Sequence, residues 1–113
     1  MSGYVQIVPA RGWMEPARTA AAAAVLDAYS AVGTPIDNPC RIDSVYNLTD
    51  GHVWISLDGI NDHFLILTGG AGVTDRAAAG VEIPAKTQFY VKRYTAGVVL
   101  TGDDVVISTT YRV

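Results

Sequence analysis

The sequence is short of charge. Asp, Glu, Lys and Arg make up 17% of its 113 residues and apolar residues half, whereas an ordinary soluble domain carries about a quarter charged residues. A surface so sparing of charge is expected to meet other protein. Basic residues are the scarcer sign, 8 against 11 acidic with a net charge of −3, and they are scattered, so no footprint for a phosphate backbone exists and nucleic acid is not an expected partner. Cysteine is almost absent. Cys40 alone cannot form an internal disulfide and reads as a free, inert thiol. A membrane-spanning run is lacking too. Ala20 to Leu26 is too short for a span, and Glu15, Pro16 and Arg18 before it suit neither a span nor a signal peptide, so no membrane role is expected and the chain is placed in the cytoplasm.

Catalytic and cofactor patterns are equally thin. "TGGAGVTDRAAAG" follows an apolar strand but lacks the third glycine of GxGxxG, has no GK[ST], and leaves only Ala77 to Ala79 between Arg76 and Gly80, too little for the helix that a phosphate loop opens. It reads as a loop between strands. His52 and His63 with Asp58 and Asp62 match no standard metal-ligand spacing and read as solvated turn residues. Ser56 with the two histidines lacks a nucleophile elbow and an orienting carboxylate. Neither an enzyme, nor a metal, nor a cofactor is expected.

What is present is β-forming sequence cut by turns. A length of 113 residues corresponds to one domain that buries about 65% of its unfolded surface. Residues 1 to 15 read as an arm and loop, with Tyr4 to Val8 ("YVQIV") extended and closed by Pro9. Pro16 suits the first position of a helix, Ala17 to Ala31 are mostly strong helix formers, Val25, Tyr29 and Val32 fall at i, i+4 and i+7, and Gly33 and Pro35 stop the run, so one α-helix is expected over 16 to 32. Beyond Arg41 come short β-rich runs at 42–48, 53–57, 63–68, 87–93, 98–100 and 105–111, separated by "TDG", "DGIN", "GGAG", "IPAK" and "TGDD". The expected fold is mainly β, an antiparallel β-sandwich of jelly-roll-like kind over 16–113, with the N-terminal arm and the single helix.

The hairpin "GHVWISLDGINDHFLIL" fixes its own register if "DGIN" is a four-residue loop. Ile55 then faces Phe64 and Val53 faces Ile66 on the core side, while Trp54 faces Leu65 and His52 faces Leu67 on the other. That second side is half apolar and needs a cover. The expected helix is the nearest candidate for Leu65 and Leu67, a neighbouring subunit the other, with Trp54 at the rim. Trp13, Trp54 and the six tyrosines could form a sugar-binding platform, as in a carbohydrate-binding module of an adhesin. Interface packing is the preferred reading, since aromatics are enriched between proteins. Tyr4, Val5 and Ile7 of the arm, Trp13 and Met14 beside it, and Trp54 are therefore the expected protein-interface residues.

"NLTDGHVWISLDGINDHFLIL", then "VEIPAKTQFYVKR" and a closing Val- and Thr-rich strand, resemble a group of small structural proteins of tailed bacteriophages found among head and connector genes. In that group NNT-x-x-x-V-x-I-S-x-D-G precedes an apolar strand, a PAGTQ-x-Y-V segment and a short last strand. The matching residues are Asn47, Thr49, Val53, Ile55, Ser56, Asp58 and Gly59, then Pro84, Ala85, Thr87, Gln88, Tyr90 and Val91, and the resemblance runs from about 45 to 113. Lys86 stands where glycine is usual, and the arm and helix have no counterpart. The resemblance implies a non-enzymatic virion component assembled in the host cytoplasm, a capsid decoration (cement) protein or a neck or tail connector. Its implied partners are the major capsid protein or portal and neck proteins, and copies of itself.

Overall fold

A computed structural model describes residues 13–68, 72–73 and 82–111, with backbone alone at 13, 72 and 73, and alternation of buried and exposed residues organises these described residues into nine strands. They are β1 (Trp13–Met14), β2 (Arg18–Ala20), β3 (Ser30–Val32), β4 (Arg41–Thr49), β5 (Val53–Ser56), β6 (Phe64–Ile66), β7 (Gly72–Val73), β8 (Phe89–Arg93) and β9 (Gly102–Tyr111). The first sheet runs β7, β4, β9, and both β1 and β2 lie along the far edge of β9. The second runs β3, β8, β5, β6. All these pairings are antiparallel. The structure is thus mainly β, as the turn spacing predicts.

Buried side chains of both sheets join one cluster. Ile42, Val45, Val105 and Ile107 come from the first sheet, Val32, Val53, Ile55, Ile66, Phe89 and Val91 from the second, and Ile36, Cys40 and Ile83 from the connections. Burying each such Val, Ile or Phe contributes about 1.5–3 kcal/mol. The strand pattern shows how they reach the same side. Ile42 pairs with Thr109 but Ser44 pairs with Ser108, so Asp43 is an extra residue, and this bulge lets Ile42 and Val45 share the core face despite odd spacing.

The helix expected over 16–32 does not form. That stretch is β2, a single 3-10 turn at Ala22–Ala24, and β3. Two physical reasons account for the correction. Residues 18 to 20 pair with Val105 to Ile107, and Ser30 to Val32 pair with Phe89 to Val91, so each backbone segment finds its hydrogen bonds in a sheet. Alanine's helix preference is worth only tenths of a kcal/mol per residue, and no Ser, Thr, Asp or Asn precedes Pro16 to cap a helix start. The expected strand at 98–100 is also replaced, by a connection in which Val98 and Val99 are exposed and only Leu100 is buried. Conversely, Trp13 and Met14 form β1 against Thr110 and Tyr111, rather than a loop. Tyr4, Val5 and Ile7 lie outside the described residues.

Two buried polar pins tie the parts together. Asn47 in β4 is fully buried; its Nδ2 donates to the Gly51 carbonyl at 2.8 Å and to the Ile66 carbonyl of β6 at 3.1 Å, while its Oδ1 accepts from the Thr49 N–H at 3.1 Å and Oγ at 2.6 Å. One side chain thus joins the first sheet to the second. The other pin is Glu15 with Arg18, 3.1 Å apart and both buried. Arg18 also donates to the carbonyls of Thr34 and Pro35, and Glu15 accepts from the Asp37 N–H and the Asn38 amide. Together they hold the 33–38 turn onto the sheet edge. Gly33 must be glycine there, because φ is +62° and a Cβ would lie 2.8 Å from Arg18 Cγ.

Candidate functional site

The outer face of the second sheet is where the hairpin register has its effect. Val53 pairs with Ile66, Trp54 with Leu65 and Ile55 with Phe64, the pairings predicted from the four-residue loop. Trp54 also pairs with Lys92 of β8, and the Tyr94 N–H donates to the His52 carbonyl, which aligns Tyr94 with His52. Period-two alternation therefore sets Tyr90, Lys92 and Tyr94 on one outward row, Ser56, Trp54 and His52 on the next, and Leu65 and Leu67 on the edge. The core takes the intervening residues.

Half of this face is covered by the chain itself. The loop after β5 folds back across it, and its carboxylate Asp62 accepts a hydrogen bond from the Tyr29 hydroxyl and pairs with Lys92 at 3.1 Å. Lys92 in turn lies 4.8 Å over the Tyr29 ring. At the loop's tip Gly59 has φ +77° and sits against Tyr90, whose ring would be 3.3 Å from any added Cβ. The turn is locked by Asp58, which accepts from the backbone N–H groups of Asn61 and Ile60 and from the amide of Asn61. Those donors hold the Asp58 carboxyl far below the usual carboxylate range. The Tyr29 hydroxyl and Lys92 likewise lower Asp62, and burial, together with Asp62, raises Tyr29.

The other half stays open. Among the described residues no helix lies over Leu65 and Leu67, which are 36% and 53% exposed, and Tyr94 is 50% exposed. Trp54 is half-buried between them. The rings of Trp54 and Tyr94 are 6.0 Å apart at a tilt of 37°, and His52 meets Tyr94 edge-on at 5.9 Å. His52 is fixed from below, its Nδ1 accepting the Thr68 N–H at 3.0 Å. This aromatic and aliphatic strip is the candidate site.

The remaining polar candidates are spent on local structure. His63 Nδ1 accepts the Leu57 N–H, and Ser56 Oγ bonds Asp58 and accepts the Gly59 N–H. Among the described residues, no three His, Cys, Asp or Glu side chains converge as metal ligands. Cys40 is buried, its thiol donates to the Asn38 carbonyl, and burial raises its pKa, which leaves it a poor nucleophile. Of the expected interface residues, Met14 is 61% exposed on β1 and Trp54 lies in the strip, so the structure does not bring the two together in one strand or sheet. Sequence reasoning counts Tyr94 only as one of six tyrosines and misses the ring role of His52. "YVKRY" does alternate, but nothing local says that β8 pairs with β5.

The chain matches no protein family, no curated protein and no solved structure.

Proposed function

We propose that this chain is a non-enzymatic structural protein of a tailed-phage virion, a capsid decoration (cement) protein in the first instance, with a neck or tail connector as the alternative position. In this reading the two antiparallel sheets stack as a jelly-roll-like sandwich, and the partners are the major capsid protein or portal and neck proteins, and copies of itself. The observation that carries it is Lys86. It stands where the resembling phage proteins have glycine, and its φ is +71°, a left-handed conformation that glycine adopts without strain. The other matching residues fill roles that need their chemistry: Asn47 and Thr49 form the buried pin, Val53, Ile55 and Val91 the core, and Ser56, Asp58 and Gly59 the locked turn.

Binding would act through apolar surface the domain does not use internally. Met14, Leu26, Ile60, Val98 and Val99 are between 48% and 80% exposed. Withdrawing such area from water yields about 25 cal/mol per Å² before the costs of association. Repeated copies on a lattice make individually weak contacts sufficient. Met14 is adjacent in sequence to the segment that holds Tyr4, Val5, Ile7 and Trp13, so the N-terminal end is the expected anchor. The test is co-sedimentation of the purified chain with phage heads and, separately, tails. Retention on one of them, weakened in Met14→Glu without loss of folding, supports the reading; a chain that stays monomeric and pellets with neither overturns it.

A further inference from the structure

The geometry points to a saccharide-binding site on the open strip formed by Trp54, Tyr94, His52, Leu65 and Leu67. This site is independent of where the protein sits in a particle, and its argument does not rest on the virion reading.

The first step is the size of the strip. Its side chains occupy three adjacent strands and two rows, and with strands about 4.8 Å apart and same-face residues about 6.7 Å apart, the footprint is on the order of 200 Å². A stable protein partner needs about 800 Å² on each side. Extension past Trp54 is blocked, because the Asp58 to Asp62 loop occupies the rest of the face through its bonds to Tyr29 and Lys92. A second copy of the chain, with a face of the same size, would gain little area from the strip alone. A short saccharide is not subject to that shortfall.

The second step is chemistry. A sugar ring offers one patch of C–H groups rimmed by hydroxyls, so its receptor needs exposed ring faces with donors and acceptors at their border. Trp54, partly exposed, and Tyr94, half-exposed, supply the rings, which touch at a centroid distance of 6.0 Å and a tilt of 37°, so that they stand side by side as one angled platform. Polar groups stand at both borders. On one side the Thr68 N–H binds Nδ1 of His52 and so leaves its proton on Nε2, as a donor. On the other, Lys92 is Trp54's cross-strand neighbour, and both bonds made by its partner Asp62 fall on Oδ1, which leaves Oδ2 to accept from a sugar hydroxyl. A purely apolar partner would strand these groups; a polyhydroxylated one satisfies them. The platform is also fixed before the ligand arrives, since Trp54 and Lys92 lie on paired strands and His52 is tied to Thr68, which reduces the ordering cost of a weak ligand.

The experiment is a ¹⁵N NMR titration of the full chain with maltotriose, cellotriose, chitotriose and mannotriose, each to about 10 mM, the range in which so small a contact area binds. The expected result is that at least one probe shifts signals of residues 52, 54, 65, 67 and 94 and leaves the far sheet unmoved. Trp54→Ala and Tyr94→Ala, with unchanged dispersion of the remaining signals, are expected to weaken that binding about tenfold each. A Trp13→Phe chain, in which Trp54 is the remaining tryptophan, is expected to show a saturable fluorescence change with the same probe. No shift in the strip with any of the four sugars overturns the proposal. So does concentration-dependent self-association that Trp54→Ala removes, which would assign the strip to a second copy.

Discussion

Replacing Asn47 by leucine tests whether one buried amide holds the two sheets together. The substitution keeps the branching at Cγ and the number of side-chain heavy atoms and adds apolar character, so by apolar area alone it is favourable. The hydrogen bonds argue the other way. Asn47 donates to the carbonyls of Gly51 and Ile66 and accepts from the N–H and hydroxyl of Thr49, all at 2.6 to 3.1 Å and at a fully buried position. The Thr49 hydroxyl, with one proton to give, turns it to the Gly51 carbonyl 2.9 Å away, so neither of those two groups is left without a partner. The Thr49 N–H and the Ile66 carbonyl lose their side-chain partner. Two such losses at about 1–3 kcal/mol each, less a little for the apolar gain, give about 3 kcal/mol. That is a large part of the 5–15 kcal/mol that holds a domain of this kind together. Urea unfolding followed by tryptophan fluorescence should show it as a lower midpoint at unchanged slope. Asn47→Asp sharpens the test, because a carboxylate would face two carbonyl oxygens. Its folded pKa would then be raised, and its deficit against the parent should shrink as pH falls and the proton supplies a donor. A loss below about 1 kcal/mol for Asn47→Leu, or an Asp deficit that does not depend on pH, would refute the pin.

Two further predictions concern the turns beside the sheets. Burial works to raise the Glu15 carboxyl, but the Asn38 amide, the Asp37 N–H and Arg18 outweigh it, so its folded pKa lies below the ordinary 4.5. The stability it contributes is complete above that value and is lost as pH falls through the folded pKa. Glu15→Gln should therefore unfold about 2–4 kcal/mol more easily at pH 7, since it leaves Arg18 buried without its countercharge, and the gap to the parent should narrow in acid denaturation below pH 4.5. Lys86→Gly should stabilise by about 1 kcal/mol, relief of left-handed strain exceeding glycine's entropy cost. Its ion pair with Asp37, at 3.8 Å and largely exposed, forfeits almost nothing. Thermal unfolding measures both changes, and a Lys86→Gly chain that melts lower than the parent would contradict the second.

The hairpin from Val53 to Ile66 was legible because alternation and turn chemistry act within a few residues: four residues in the loop set every cross-strand pair. The mainly β character was legible for the same reason. The stretch from Pro16 to Val32 was not. Its alanines state a local preference, whereas its fate depends on residues 89–91 and 105–107, far along the chain, which offer sheet edges. Val98 and Val99 misled likewise, since β-branched composition says nothing of whether a partner strand stands alongside. The sequence offers a helix or a neighbouring subunit as the cover for Leu65 and Leu67, whereas the loop at 58–62 covers the neighbouring half of the face through Asp62, a residue that reads locally as an ordinary turn carboxylate. Tyr94 belongs to the strip only because β8 flanks β5, a pairing that no local pattern announces. The residues behind the phage resemblance were visible as a pattern, but their separate duties in pin, core and turn are properties of the assembled sheets.

Strand β9 bears on the order in which the protein is made. Among the described strands it is the last in sequence, yet it is the one against which β1, β2 and β4 all pair. During synthesis those three segments wait with unpaired edges until residues 102–111 emerge, and the first sheet then closes by long-range pairing, a slow class of folding event. The waiting chain exposes Ile42, Val45 and Ala20, so a ribosome stalled before Gly102 should hold an aggregation-prone nascent chain.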